Sequence, residues 1–279
     1  MQSGMLSTIT PVLPASTPRP ESAILRSLSL QGAAGRLEAL LNKGAASAPY
    51  AALVCHPHPL GGGSMHNKVV FHAMKVLNDP AWGFNWPVLR FNFRGVGLSQ
   101  GAHHGDAETG DVLAALEWLE NEYKRPVVVC GFSFGAVMAL KACCGHPLTC
   151  SSADVRTLIA LGLPTQAEGR NYDYSFLPHC TIPKLLLSGD RDQFAPAQQL
   201  AQVASSAAEP KQLVLLPGAD HFFTGQLNSM QRSLAGWLQR NPSTCPPKAQ
   251  CKVARRSEPP AHRLQGGVYS GFAQEEQLP

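Results

Sequence analysis

Residues 125–144 read RPVVVCGFSFGAVMALKACC, and the architecture of the chain turns on how this stretch folds. Val127, Val128 and Val129 form a continuous apolar run of β-branched residues, the pattern of a strand covered on both faces. The stretch AVMALKACC, from Ala136 to Cys144, begins with small residues and reads as a helix able to pack close to a sheet. Between them lies Gly131-Phe132-Ser133-Phe134-Gly135, a G-x-S-x-G pattern. G-x-S-x-G alone arises by chance in many proteins; a strand directly before it and a helix directly after give it a physical meaning. The chain must bend sharply there, which forces Ser133 into a strained conformation with its hydroxyl exposed. Gly131 and Gly135 remove side chains that would clash at that bend.

Working outward, apolar runs recur with helical patterns between them. The strand candidates are ILRSLSLQG, GRLEALLNKG, YAALVCHPH, WPVLRFNFRG, RPVVVCGFS, RTLIALGLP, PKLLLSGD and KQLVLLPGAD. A glycine-containing turn separates the first two, which predicts a hairpin. Val70, Ala73, Met74 and Leu77 repeat at helical spacing, as do Val112, Ala115, Leu116 and Leu119, and QLNSMQRSLAGWLQR closes the body as another helix. The expected fold is α/β: a mostly parallel eight-stranded sheet with an antiparallel N-terminal hairpin and helices on both faces. Ligands in such sheets bind at the carboxyl ends of the strands, so functional residues are expected just after each apolar run.

A serine hydroxyl is a weak nucleophile until a base takes its proton. The expected base is a histidine oriented by a carboxylate, both at strand ends later in the chain. His221 follows KQLVLLPGAD and fills the first role. Asp192, three residues past Gly189, fits the second best. Asp190 is the alternative, reading better as a turn residue, and Asp220 adjoins the histidine too closely to orient it. A developing oxyanion needs two preset N–H donors. One is expected from Phe134; the other belongs to CHPHPLGGGSMHNK, where Pro57 and Pro59 have no N–H. His58 is the preferred second donor, with Leu60 next. Phe132 and Phe134 are expected to border the pocket.

His56, His58, His66, His103 and His104 also invite a metal reading, but a catalytic zinc wants three protein ligands and an open position, and the further ligands are unspecified. The serine chemistry already accounts for the loop, so no metal is expected. Arg90 and Arg94 suit either an acidic substrate group or, more commonly, ion pairs to Asp106, Glu108 or Asp111.

Composition narrows the classes. The formal charge is +4 over 279 residues, and no Lys/Arg cluster alternates with aromatics, so no nucleic-acid partner is expected. No stretch approaches the roughly 18 apolar residues of a membrane helix. The N-terminus, MQSGMLSTITPVLPASTPRPES, lacks a charged n-region and is broken by prolines, a poor secretory signal. Its Ser/Thr-rich, acid-poor character leaves organelle targeting open, and a cytoplasmic location is the expectation. The eight cysteines include no C-x-x-C pair; reduced thiols are the default, with the even count leaving disulfides open. The tail from Asn241 is proline-rich and poor in aliphatics, and is expected to be disordered. The expected layout is a disordered arm over 1–20, a domain over 21–240 and a disordered tail over 241–279.

Together, CHPHPLGGGSMHNKVV, RFNFRGVGLSQG and GFSFGA resemble the α/β-hydrolase superfamily over residues 22–240. They look most like its small lidless group, near the dienelactone hydrolase-like and serine peptidase-like hydrolases. That resemblance implies a Ser133–Asp192–His221 triad without metal or organic cofactor. This chain carries Gly61 where members usually place a bulky residue, a departure that widens the pocket or changes the second donor. Between the sixth and seventh strands TQAEGRNYDYSFLPHC is long enough for a short helix or flap and too short for a cap domain. The expected reaction is hydrolysis of small or short-chain carboxylic esters. A thioesterase or peptidase with the same triad, or a non-catalytic binding protein on this fold, is the alternative.

Overall fold

The structure is a computed structural model that describes residues 25–145, 153–167, 169–170 and 172–241. The arm expected over 1–20 and the tail expected beyond Asn241 lie outside the described residues. Among the described residues eight strands run β1 (Leu25–Gly32), β2 (Gly35–Asn42), β3 (Ala51–Cys55), β4 (Val88–Phe91), β5 (Val127–Phe132), β6 (Val155–Leu161), β7 (Lys184–Gly189) and β8 (Lys211–Leu216). They form one sheet in the order β1-β2-β4-β3-β5-β6-β7-β8. β1 and β2 make the expected hairpin, in which Gly32 pairs with Gly35, and β2 also lies antiparallel to β4. From β4 to β8 every neighbouring pair is parallel.

Among the described residues five helices flank the sheet: α1 (Lys68–Asn78), α2 (Thr109–Tyr123), α3 (Phe134–Cys144), α4 (Ala197–Ser206) and α5 (Leu227–Arg240). Strand alternation divides the core into two layers. Val127 and Val129 of β5 face the layer built with α2, α3 and α4; Val128 and Cys130 face the layer built with α1 and α5. This two-sided burial is why the central strands read as unbroken apolar runs. Helix α4 has no counterpart in the sequence reading. It buries only Leu200 and Ala204, one pair a single turn apart, which is too little periodicity to announce a helix.

The connection from β6 to β7 holds one short 3₁₀ turn, Leu177–His179, and a bridge between Ala167 and Arg170. Among the described residues it contains no further helix or strand, as expected for a chain without a cap. A disulfide joins Cys144, the last residue of α3, to Cys180 in this connection. The default of reduced thiols is corrected at this pair. The two cysteines lie far apart in sequence, and only the packing of the loop against the end of α3 brings them together. Cys55 and Cys130 are free and buried, and Cys143 is buried as well. No helix among the described residues is long and apolar enough to cross a membrane.

Candidate active site

The bend at residue 133 has the geometry that the sequence demanded. Ser133 adopts φ 53°, ψ −121° between the last residue of β5 and the first of α3. Positive φ is unfavourable for a residue with a Cβ, so the surrounding packing must hold it. Both glycines are required by space: a Cβ on Gly131 would lie 2.5 Å from the Ala136 Cα, and one on Gly135 would lie 2.5 Å from the Cys55 carbonyl oxygen. The close approach of α3 to β3 brings the nucleophile's helix beside the loop after β3.

Three side chains from separate strand ends meet here. His221 Nε2 lies 3.0 Å from Ser133 Oγ, and His221 Nδ1 lies 2.8 Å from Asp192 Oδ2. The Asp192 carboxylate also accepts hydrogen bonds from Ser188 Oγ at 2.8 Å, Phe194 N–H at 2.8 Å and Ala195 N–H at 3.1 Å. Burial pushes its carboxyl up, but the His221 hydrogen bond and charge, with the Ser188 and Phe194 donors, hold it below the ordinary carboxylate value. The structure thus pairs His221 with Asp192 rather than with its neighbours. Asp190 Oδ1 accepts from the Gly218 N–H at 2.7 Å, and Asp220 Oδ1 accepts from Phe222 N–H at 3.1 Å and Thr224 N–H at 2.8 Å. Both are committed to loop turns.

The donors expected for an oxyanion separate by their present partners. Phe134 opens α3, where an N–H has no intrahelical acceptor. The Leu60 N–H donates to the His58 ring Nδ1 at 3.1 Å, so it is engaged, while the His58 N–H has no hydrogen bond among the described residues. The His58 ring packs on Phe134 at 4.9 Å and on His103 at 4.6 Å between centroids. Around Gly61 a Cβ would meet open space, so the missing bulky residue leaves the rim clear.

Phe132 departs from expectation. It is fully buried and packs behind the His221 ring at 5.1 Å. As the last residue of β5 its side chain points into the layer under α1 and α5, so it supports the imidazole and does not border the pocket. Phe134 does border it. An open cavity of about 310 Å³ is lined by His58, Leu60, His103, Phe134, Met138 and Arg170, among others. A larger depression of about 410 Å³ is formed by Glu120, Lys124, Arg125 and Asp154. It lies at the start of β5, the end of the sheet away from Ser133, and holds none of these groups.

His56 has a different task from the one a metal would give it. Its Nδ1 lies 2.6 Å from the Pro57 carbonyl oxygen and its Nε2 accepts from the Phe93 N–H at 3.0 Å. Both nitrogens are engaged, so the ring ties the end of β3 to the segment after β4. Burial drives its pKa down to about 4, which keeps it neutral in this role. Among the described residues no three His, Cys, Asp or Glu side chains converge as metal ligands. The arginines are structural as well. Arg94 pairs with Asp111 at 2.6 Å, and Arg90 donates to the Met65 carbonyl at 3.0 Å and to Asn42 Oδ1 at 3.1 Å.

Several contributors carried no sequence signal. Ser188 and Phe194 look like ordinary strand and loop residues until Asp192 is placed against them. Gly162, just after β6, has φ +52°, and a Cβ there would lie 3.2 Å from the His221 ring. Its only sequence cue was its place just after an apolar run.

Comparison with known proteins places the fold in a family. Residues 61–241 match the family described as an alpha/beta hydrolase domain. An uncharacterized protein of Rickettsia prowazekii is 34% identical over 215 residues, covering 74% of this chain and 86% of that protein. An alpha-beta serine hydrolase homologue from Coxiella burnetii is 32% identical with a TM-score of 0.65, covering 76% of this chain and 97% of the other. A member of the α/β serine hydrolases without lid from Xanthomonas campestris is 29% identical with a TM-score of 0.66, covering 81% of this chain and 97% of the other. With the sheet order, the bend at Ser133 and the uncapped β6–β7 connection all in place, this chain belongs to the α/β-hydrolase family.

Proposed function

We propose that this chain is a serine hydrolase that cleaves small or short-chain carboxylic esters through an acyl-enzyme on Ser133. The observation that carries the reading is the 3.0 Å separation of His221 Nε2 from Ser133 Oγ, with Asp192 holding the other face of the ring. In this reading His221 takes the Ser133 proton as Oγ attacks the ester carbonyl, and Asp192 stabilises the imidazolium without itself taking a proton. The Phe134 and His58 N–H groups receive the oxyanion; losing one such donor lowers the rate by roughly 10²–10³. The imidazolium then returns the proton to the departing alcohol. Water, deprotonated by His221, repeats the attack on the acyl-enzyme and releases the acid.

The open cavity and the uncapped loop support small substrates. Esters are the first choice because an alkoxide is an easier leaving group than an amide anion. A fluorophosphonate probe is expected to label the wild type and not Ser133→Ala, with p-nitrophenyl acetate turned over by the first and not the second. Turnover of an acyl-CoA or an aminoacyl anilide in preference to the acetate would move the reading to thioesterase or peptidase. A folded wild type that takes no label and hydrolyses nothing would be the binding protein of the alternative.

A further inference from the structure

The cavity lined by His58 and by Phe134, the chain neighbour of Ser133, is apolar along its floor and carries Arg170 and the paired Lys141 and Asp106 at its wall. Phe134, Val137, Met138 and Lys141 all line it, and their spacing places them on one face of α3. Lys141 therefore stands about 10 Å along the helix from Phe134. Across from this face the β6–β7 connection contributes Arg170 and Tyr172.

The acids nearby are each committed. Asp106 accepts from Lys141 Nζ at 2.6 Å. Glu108 has a fully buried carboxylate that accepts from the His104 N–H at 2.8 Å and the Gly105 N–H at 2.9 Å, with His103 Nδ1 at 2.7 Å. Asp173 accepts from the Ser175 N–H at 2.8 Å and its hydroxyl at 3.1 Å. Arg170 differs from these groups. Its only hydrogen bond among the described residues is the one its backbone N–H gives to the Ala167 carbonyl at 3.1 Å; its guanidinium has no ion pair there. Its charge reaches the wall next to the serine: burial first, then the Arg170 guanidinium, lowers the His58 pKa to about 4. A guanidinium in such a place presents a planar fork suited to a carboxylate or a phosphate.

We propose that this cavity is an anion-selecting subsite, in which Arg170 pairs with an anionic group carried by the ester while Val137 and Met138 hold a short apolar spacer. The favoured substrates are then esters bearing a carboxylate or comparable anion a few bonds from the scissile carbonyl. This inference rests on the hydrolase reading above. Arg170 is exposed, so the gain is modest: about fivefold in kcat/KM. It enters through KM, since the pairing is the same in ground and transition states.

The test uses the full chain. On the acyl side, p-nitrophenyl monoesters of succinic, adipic and suberic acid are compared with their methyl-capped counterparts. On the alcohol side, acetyl esters of ω-hydroxy acids are compared with the acetyl esters of their methyl esters by proton release. At the best spacer the carboxylate substrate is expected to lead through a lower KM. The advantage shrinks as ionic strength rises, disappears in Arg170→Gln and reverses in Arg170→Glu. Neutral esters cleaved as well as their anionic partners at every spacer on both sides would overturn the subsite and leave the hydrolase reading intact. A preference that survives Arg170→Gln would likewise overturn it. A wild type that cleaves none of the panel and takes no fluorophosphonate label would overturn both.

Discussion

Gly162 and His221 share a boundary with no room to spare. A Cβ on Gly162 would stand 3.2 Å from both Cε1 and Nδ1 of His221 and 3.0 Å from Cε2 of Phe132, and the backbone there has φ +52°. Gly162→Ala therefore combines an unfavourable left-handed conformation, about 1–2 kcal/mol, with a push on the imidazole. Since a displacement of about 1 Å can lower a rate by 10²-fold, kcat for p-nitrophenyl acetate is expected to fall by roughly one to two orders of magnitude. Steady-state kinetics alongside a thermal melt checks this, and an unimpaired kcat in the folded variant would refute it.

The two aspartates that compete in sequence differ in their bonds. Asp192→Asn is expected to lower kcat by roughly 10⁴ by supporting the wrong imidazole tautomer. Asp190→Asn, altering only a turn bond to Gly218, leaves kcat near that of the wild type. The Asp192 carboxyl is held below its ordinary value, so it stabilises the fold above about pH 3.9 and loses that contribution as pH falls through the folded-state pKa. Melting curves below pH 5 should show Asp192→Asn declining less steeply with acid than the wild type.

His56 gives a second, separate acid dependence. Burial lowers its pKa from 6.5 to about 4, so the folded state resists a proton that the unfolded chain accepts. The fold is fully favoured above about pH 6.5 and weakens as pH falls from there towards 4, by on the order of 3 kcal/mol in all. In His56→Asn the slope between pH 6.5 and 4.5 should flatten, at the expense of a lower melting temperature at pH 7. Equal slopes in the two proteins would remove His56 as the source.

The Cys144–Cys180 cross-link spans 36 residues in sequence. A loop of that size restricts the unfolded chain by roughly 3–4 kcal/mol in the chain-entropy view. Cys180→Ala, or dithiothreitol on the wild type, is expected to lower the melting temperature by several degrees. A thiol count that does not rise on reduction, with no change in melting, would exclude the bond in solution.

The parts of this fold that could be read in advance were those with local periodicity. The apolar runs of β3 to β7 announced themselves because burial on both faces leaves little polar alternation, and GFSFG announced the bend because only glycine fits on either side of it. His221 was legible from its place after the last strand. Helix α4 was not, because two buried residues define no stripe. The role of Phe132 was misread because alternation at the end of β5, not proximity to Ser133 in sequence, decides which way a side chain points. Gly162, Ser188 and Phe194 became visible only when three strand ends were brought together. The same holds for the His56 bridge and for Arg170, whose meaning depends on neighbours far away in the chain.

The bare connection between β6 and β7 has a kinetic consequence. Among the described residues no roof lies above the hydroxyl, so in the proposed reaction none of them has to swing aside before a substrate enters or a product leaves, and turnover is expected not to be throttled by an opening motion of these residues. Velocity should follow a single saturation curve and level off at the solubility limit of an ester, without the abrupt jump that emulsion droplets provoke in enzymes whose crevice is roofed.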